Sequence, residues 1–240
     1  MRWFIENTGI MSKGKNDTTD EKIEAIEGAL SRTEQFIETN YRKLIYGIVG
    51  IAVIVGLFFG YKHLILNPKE KEAQKQIYPS EQLYDNQSFK EALEGDGNVL
   101  GFAKVADNFG STQTGNLACF YAGMCNLRLG KFEEAIDYLK SYDAHDKIIG
   151  PLATIAIGDA YVELNKMEDG ADYYLKAAKM DNNMFTSPNA YMKAGGVFES
   201  LGKYSEALEA YNTIKNDYPT SMESRDIDKY IARATLKMEK

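Results

Sequence analysis

The chain is 240 residues long, 44% hydrophobic and 26% charged, and its 35 acidic residues outnumber 28 basic ones for a formal net charge of -7. That length holds one ordinary domain with an appendage, or two small domains. Up to Asn67 the signs balance at eight each; beyond it 27 acidic residues face 20 basic ones, an acidic body that argues against a nucleic-acid partner, whose phosphates demand clustered Lys and Arg.

In chain order, the segment 1–43 comes first. "MRWFIENTGI" is followed by "MSKGKNDTTD", Met11 is as plausible a start as Met1, and residues 1–20 read as disordered. From Asp20 to Tyr41, Ile23, Ile26, Leu30, Thr33 and Ile37 recur at helical spacing, giving an amphipathic helix with Asp20 as its candidate cap. Its apolar face fits either a short coiled coil or a helix lying on a membrane surface.

The anchor expected over 44–66 follows. Leu44 to Tyr61 is an 18-residue run without charge, Asn, Gln or Pro. As a helix it rises about 27 Å, close to the hydrocarbon thickness of a bilayer. Leu44, Ile54, Phe59 and Tyr61 belong to this run, Tyr41, Tyr46 and Tyr61 lie near its ends where rings favour the interface, and Arg42, Lys43 and Lys62 can reach headgroups. A core helix of five turns would carry a polar face, and a cleaved signal peptide would have a short tail and a small-residue cleavage site; neither pattern is present. The flanking charges, Arg32, Arg42 and Lys43 before the run and Lys62, Lys69, Lys71 and Lys75 after it, nearly tie and leave orientation open.

Beyond the run, a divergent leading helix pair is expected over 67–114, with helices at about 69–87 and 98–110, "SFKEAL" as an echo of the phrase described next and "EGDGN" as an enlarged connection. The phrase itself is "GKFEEAI" at 130–136, "NKMEDGA" at 165–171 and "GKYSEAL" at 202–208. Seven residues before Gly130, Asn165 and Gly202 stand Gly123, Gly158 and Gly195; after them, at fixed offsets, come Phe132, Met167 and Tyr204, then Ala135, Gly170 and Ala207, then Leu139, Tyr174 and Tyr211. A shared period of 35 and then 37 residues means one supersecondary unit used repeatedly over 115–221. The small residue lets a second helix cross a first one closely, the Gly or Asn supplies the left-handed turn, and the late Leu or Tyr fills the space towards the next pair. First helices are expected at about 115–129, 151–164 and 187–201, and second helices at about 132–143, 167–180 and 204–217. A capping helix over 222–240 would use Ile227, Tyr230, Ile231 and Ala234.

This spacing resembles the tetratricopeptide repeat, whose helix-turn-helix units stack into a superhelix. The fold class expected is therefore all-α: a single transmembrane helix, then a helix-pair superhelix with a C-terminal cap. The order of parts, with "NLACFYAG", "IGDAYVEL", "GKYSEALEAYNTIKNDYP" and "IDKYIARA", is similar to the YfgM-type family of ancillary Sec translocon subunits. That resemblance covers about 20–240 and implies a bacterial inner-membrane, single-pass protein with its N-terminus cytoplasmic and its repeats periplasmic. Its implied partners are translocon subunits, periplasmic chaperones or exported clients, besides membrane lipid through the anchor.

Chemistry is not evident. The sequence has no Gly-rich phosphate loop, nucleophile elbow or His-Cys cluster, so no catalytic residue, metal ligand, cofactor or small-molecule substrate is expected. His145 reads as part of a solvated loop, and Cys119 and Cys125 as small hydrophobes about 9 Å apart along one helix, too far for a disulfide. The pairs Glu133 and Glu134, and Glu168 and Asp169, suit the first turn of a helix. A docking groove is expected on the first helices at Leu117, Phe120, Met124, Leu127, Ile155, Asp159 and Met192. The carboxylate clamp of the repeat family needs Lys and Asn where Phe120 and Met124 stand, so an apolar segment is the implied guest. Covering of that groove by the chain's own residues 69–110 is the competing reading. The sequence thus favours a membrane-anchored protein-binding scaffold, with a structural spacer of an envelope complex as the alternative.

Overall fold

A computed structural model describes residues 17–239, with side-chain surroundings from residue 35 to 239. The start at Met1 or Met11, the disorder expected over 1–16 and the side-chain face of Ile23, Ile26, Leu30 and Thr33 lie outside the described residues. The described residues are all-α apart from one isolated bridge between Gly95 and Leu100. The chain divides into two compact units, Met1–Lys62 and His63–Lys240.

The first unit contains α1, Asp17–Tyr61. Its start corrects two expectations: residues 17–20 are helical, and Asp20 lies inside the helix instead of capping it. Leu44, Ile54, Phe59 and Tyr61 are 37%, 69%, 63% and 52% exposed. Among the described residues, this helix is long and apolar enough to cross a membrane. The expected anchor is α-helical up to Tyr61 and π-helical over Lys62–Leu66.

The second unit is a succession of helix pairs. α2 is Asn67–Asp85, α3 Phe89–Glu94 and α4 Phe102–Phe109; α5, Gln113–Arg128, pairs with α6, Phe132–Ser141. α7, Ile149–Glu163, pairs with α8, Met167–Met180, and α9, Thr186–Ser200, with α10, Tyr204–Asp217. A short 3-10 turn, Glu223–Asp226, leads into α11, Ile227–Met238, which packs on the preceding pair and buries Ile227 and Ala234.

The repeated positions behave as their chemistry requires. Gly130, Asn165 and Gly202 have φ of 73°, 59° and 72°, the left-handed conformation that ends a helix at its C-terminus. At each turn the following Lys N–H reaches back to a carbonyl five residues earlier: Lys131 to Asn126, Lys166 to Tyr161 and Lys203 to Phe198. A Cβ added to Gly123, Gly158 or Gly195 would meet Leu139 at 2.5 Å, Tyr174 at 2.7 Å or Tyr211 at 2.3 Å, which is why the first helix is bare where the second crosses it.

The leading pair differs from expectation. Gln87 has φ 62° and Ser88 N–H bonds Leu83 O at 2.9 Å, so the turn after α2 is the same as the other three. Counted from Gln87, Ser80 falls at the bare-glycine position and Ala92 at the small position of the second helix, and both are fully buried. This is a fourth copy whose second helix is broken in two, α3 and α4, by "EGDGNVLG" instead of being preceded by a long connection. The break is held locally: the Asp96 carboxylate accepts from Asn98 and Val99 N–H at 2.9 Å each, and Ser80 Oγ donates to Leu100 O at 2.5 Å.

Candidate docking face

Two antiparallel reversals separate each first helix from the next, so α2, α5, α7, α9 and α11 run in the same direction and form one face of the second unit. Along α5 that face carries Leu117, Phe120, Met124 and Leu127, all half-buried. Phe120, Met124 and Leu127 pack against the cluster of Ile136, Leu139, Ala153, Ala156, Ile157 and Ala160, and the Phe120 ring lies 5.9 Å from that of Tyr142. They belong to the seam between α5 and α7, which covers them in part. Ile155 is a firmer correction: at 5% exposure it sits in the core with Tyr174, Ala190 and Ala194. The reason is geometric, because neighbouring first helices approach side by side and cover the offsets a lone helix would leave open. The leading helices do not account for this covering, since Ile77, Leu93 and Phe102 pack on Ala118, Ala122 and Cys125.

Further along, the face becomes polar. Asp159, on α7, accepts from Tyr174 Oη at 2.5 Å and from Lys193 Nζ at 2.8 Å. Glu199, on α9, accepts from Tyr211 Oη at 3.0 Å and Arg233 Nε at 3.0 Å, and is paired with Arg233 Nη2. Both networks follow one plan: a tyrosine of the second helix, a carboxylate of its own first helix and a cation from the next first helix. Burial and the adjacent Asp159 push the Tyr174 hydroxyl well above its ordinary range, and burial and Glu199 do the same to Tyr211. Burial opposes ionisation of Glu199, but the hydrogen bonds from Arg233 and Tyr211 outweigh it and hold the carboxyl below its ordinary value. Met192 is half-buried against the core of the last pair.

Asp159 was among the candidate groove residues and Glu199 stands at a groove-facing offset of the third unit; Tyr174, Lys193, Tyr211 and Arg233 were not among them. The signal was present: a Tyr in place of Leu139 at the space-filling position brings a hydroxyl that must find an acceptor once buried. Cys119 and Cys125 are free thiols, and burial pushes Cys125 up to about 12, which leaves it unreactive near neutral pH. His145 pairs with Asp143 at 2.9 Å in an exposed loop.

Residues 118–143 and 155–221 match two family models described as tetratricopeptide repeat. Over those residues the chain is similar to the tetratricopeptide repeat. The TPR repeat-containing protein MJ1428 of Methanocaldococcus jannaschii is 31% identical over 138 residues, covering 58% of this chain and 22% of that protein, so the chain spans about a fifth of that relative's length. A crystal structure of MamA protein overlaps with a TM-score of 0.49 at 19% identity, covering 72% of this chain and 94% of that one. At that level nothing about function passes between the two. Tetratricopeptide repeats are in general protein-interaction scaffolds.

Proposed function

We propose that this tetratricopeptide chain is a single-pass, membrane-anchored scaffold whose second unit lies outside the cytoplasm and binds proteins during export or envelope folding. The observation that carries the reading is the exposed apolar run of α1 on a chain whose remaining mass is an acidic repeat body. The order of its parts resembles YfgM-type subunits, and on that resemblance the proposed setting is the bacterial inner membrane beside the Sec translocon, with periplasmic chaperones or exported chains as partners. The docking residues assigned are Leu117, Asp159 and Met192, with Phe120, Met124 and Leu127 as the partly covered floor beside them.

Topology is tested with Ser12→Cys and Lys203→Cys and an impermeant thiol reagent on intact cells. Lys203→Cys should label and Ser12→Cys should not; the reverse pattern inverts the orientation. Docking is tested by photocross-linking from position 117 in native membranes, with Leu117→Glu as the disrupting variant. That residue lies outside the buried clusters, so the variant should keep its melting temperature while losing about 2 kcal/mol of partner affinity. Unchanged capture removes Leu117 from the site, and cross-links that never include a translocon subunit remove the Sec assignment. The half-burial of Phe120, Met124 and Leu127 favours a second reading, a spacer that holds envelope components at a fixed distance without gripping clients. Retained assembly with no cross-link at 117 would select it.

A further inference from the structure

Beyond Leu66, the two most exposed large apolar side chains are Phe185, 79% exposed, and Met222, 74% exposed. They occupy the same repeat position. Ile148, Phe185 and Met222 follow one another at intervals of 37 residues, and each stands immediately before the helical segment that opens the next unit. Ile148 is 44% exposed, and Met184 and Leu152 add 44% and 40% beside the row. Isolated apolar residues on a surface need no explanation, but a row at one repeat position does.

The loops that bear these residues form one continuous edge. Asp143 N–H bonds Asn116 Oδ1 at 2.7 Å, Asn183 Nδ2 bonds Lys147 O at 3.0 Å, and Tyr218 Oη bonds Asn182 Oδ1. The start of α2 is tied to the same edge: Glu70 accepts from Thr114 Oγ1 at 2.6 Å, and Lys69 Nζ bonds Ser111 Oγ at 3.3 Å. The opposite edge carries the left-handed turns, each followed by Lys131, Lys166 or Lys203. It lies one helix length away, about 22 Å for the 15 residues of α9.

The chain enters the second unit at the apolar edge. Glu70 comes nine residues after Tyr61, the last residue of the uncharged run. A helix covers that interval in about 14 Å, and even an extended chain cannot exceed roughly 32 Å. If Leu44–Tyr61 crosses a bilayer, this edge is leashed to its surface. We propose that the edge formed by Ile148, Phe185 and Met222 is a lipid-contacting edge, seated in the headgroup layer of the bilayer that the anchor crosses. The proposal rests on the membrane-anchored reading.

The chemistry of the edge fits a shallow interfacial contact. Lys69, Lys147 and Arg225 can meet lipid phosphates, but Glu223 and Asp226 stand beside Met222 and offset them. Asp146 is engaged with the Ile148 and Ile149 N–H groups. Contact is therefore carried by apolar side chains reaching about 5–10 Å into the headgroup and acyl boundary, and it needs no anionic lipid.

The test uses the full chain in phosphatidylcholine vesicles containing spin-labelled lipid, in a Cys119→Ser background; Cys125, with no exposed surface, stays unlabelled. An environment-sensitive fluorophore is placed in turn at Phe185→Cys, Met222→Cys, Lys131→Cys, Lys203→Cys and Ile54→Cys. Quenching at 185 and 222 should be roughly threefold stronger than at 131 and 203, and vesicles with added phosphatidylglycerol should not change that ratio. With 54 quenched, equal weak quenching at all four body positions overturns the edge and leaves the anchor standing. Strong quenching at 131 and 203 as well overturns it too, because the body would then lie flat. Absence of quenching at 54 overturns the anchor and the edge together. As a second check, Phe185→Ser with Met222→Ser should bring quenching at Ile148→Cys down to the level of the control edge; undiminished quenching there would assign the contact elsewhere.

Discussion

Gly195 and Gly196 are neighbours in α9 and differ in what they tolerate. A Cβ on Gly195 would lie 2.3 Å from the Tyr211 ring, and Tyr211 is fully buried with its hydroxyl held by Glu199, so the ring cannot swing away. A Cβ on Gly196 meets nothing within 4 Å. Gly195→Ala should therefore cost about 1–3 kcal/mol through overpacking. Gly196→Ala should add up to about 1 kcal/mol by replacing glycine within a helix. Urea unfolding of both variants checks the pair, and equal effects would show that the crossing is looser than the structure has it. At this scale the sequence was most informative where one residue type was forced: the bare glycines, the turn residues and the ring or Leu opposite each glycine were legible from spacing alone. Ile155 and Met124 were not, because their burial depends on how closely α9 and α7 approach the helices that carry them, and a single helix's periodicity contains no term for its neighbour.

Among the elements, α11 shows how a single helix packs on the pair before it. α10 buries Tyr211 and Ile214 completely, and α11 contributes Ile227 and Ala234 to the same core with Tyr230 and Ile231 packed against it. The Tyr230 ring lies 5.5 Å from that of Tyr211, and Lys215 Nζ meets Asp228 at 2.7 Å. Truncation before Ser221 would expose one side of the last pair and remove Arg233 from Glu199. It should lower stability by several kcal/mol, at roughly 25 cal/mol for each Å² of apolar surface uncovered, or cause aggregation. Unchanged melting would mean that α11 does not hold the stack. The last helix was legible because its apolar spacing is helical. The split of the leading second helix was not, although "SFKEAL" marked its first half: Gln87 takes the turn conformation that glycine or asparagine adopts more readily, and the Asp96 turn interrupts the helix through hydrogen bonds that composition does not reveal.

Across the whole second unit, successive pairs are joined by carboxylates that must stay ionised. Glu70 ties α2 to α5 through Thr114, Asp146 accepts from Tyr142 and from the first N–H groups of α7, and Glu199 ties α9 and α10 to α11. In each case burial opposes ionisation and the hydrogen bonds outweigh it, so all three carboxyls are held below their ordinary values of 4.5 for Glu and 3.8 for Asp. The sign of the linkage follows. A carboxyl whose folded pKa is depressed contributes stability that is fully present above its unfolded pKa and is lost as pH falls through the folded value. The melting temperature should therefore be flat with respect to these groups from neutral pH down to about 5.5 and should fall steeply below about 4. Because the three joints lie along the whole stack, the acid transition should weaken several units together instead of fraying one end. Glu199→Gln should flatten the acid limb while lowering the neutral-pH melting temperature, since the amide keeps the shape but gives up the charge that Arg233 faces. An acid limb of the same steepness in Glu70→Gln, Asp146→Asn and Glu199→Gln combined would place the titrating groups elsewhere in the acidic body. A flattened limb would identify these junctions as what holds one helix pair to the next.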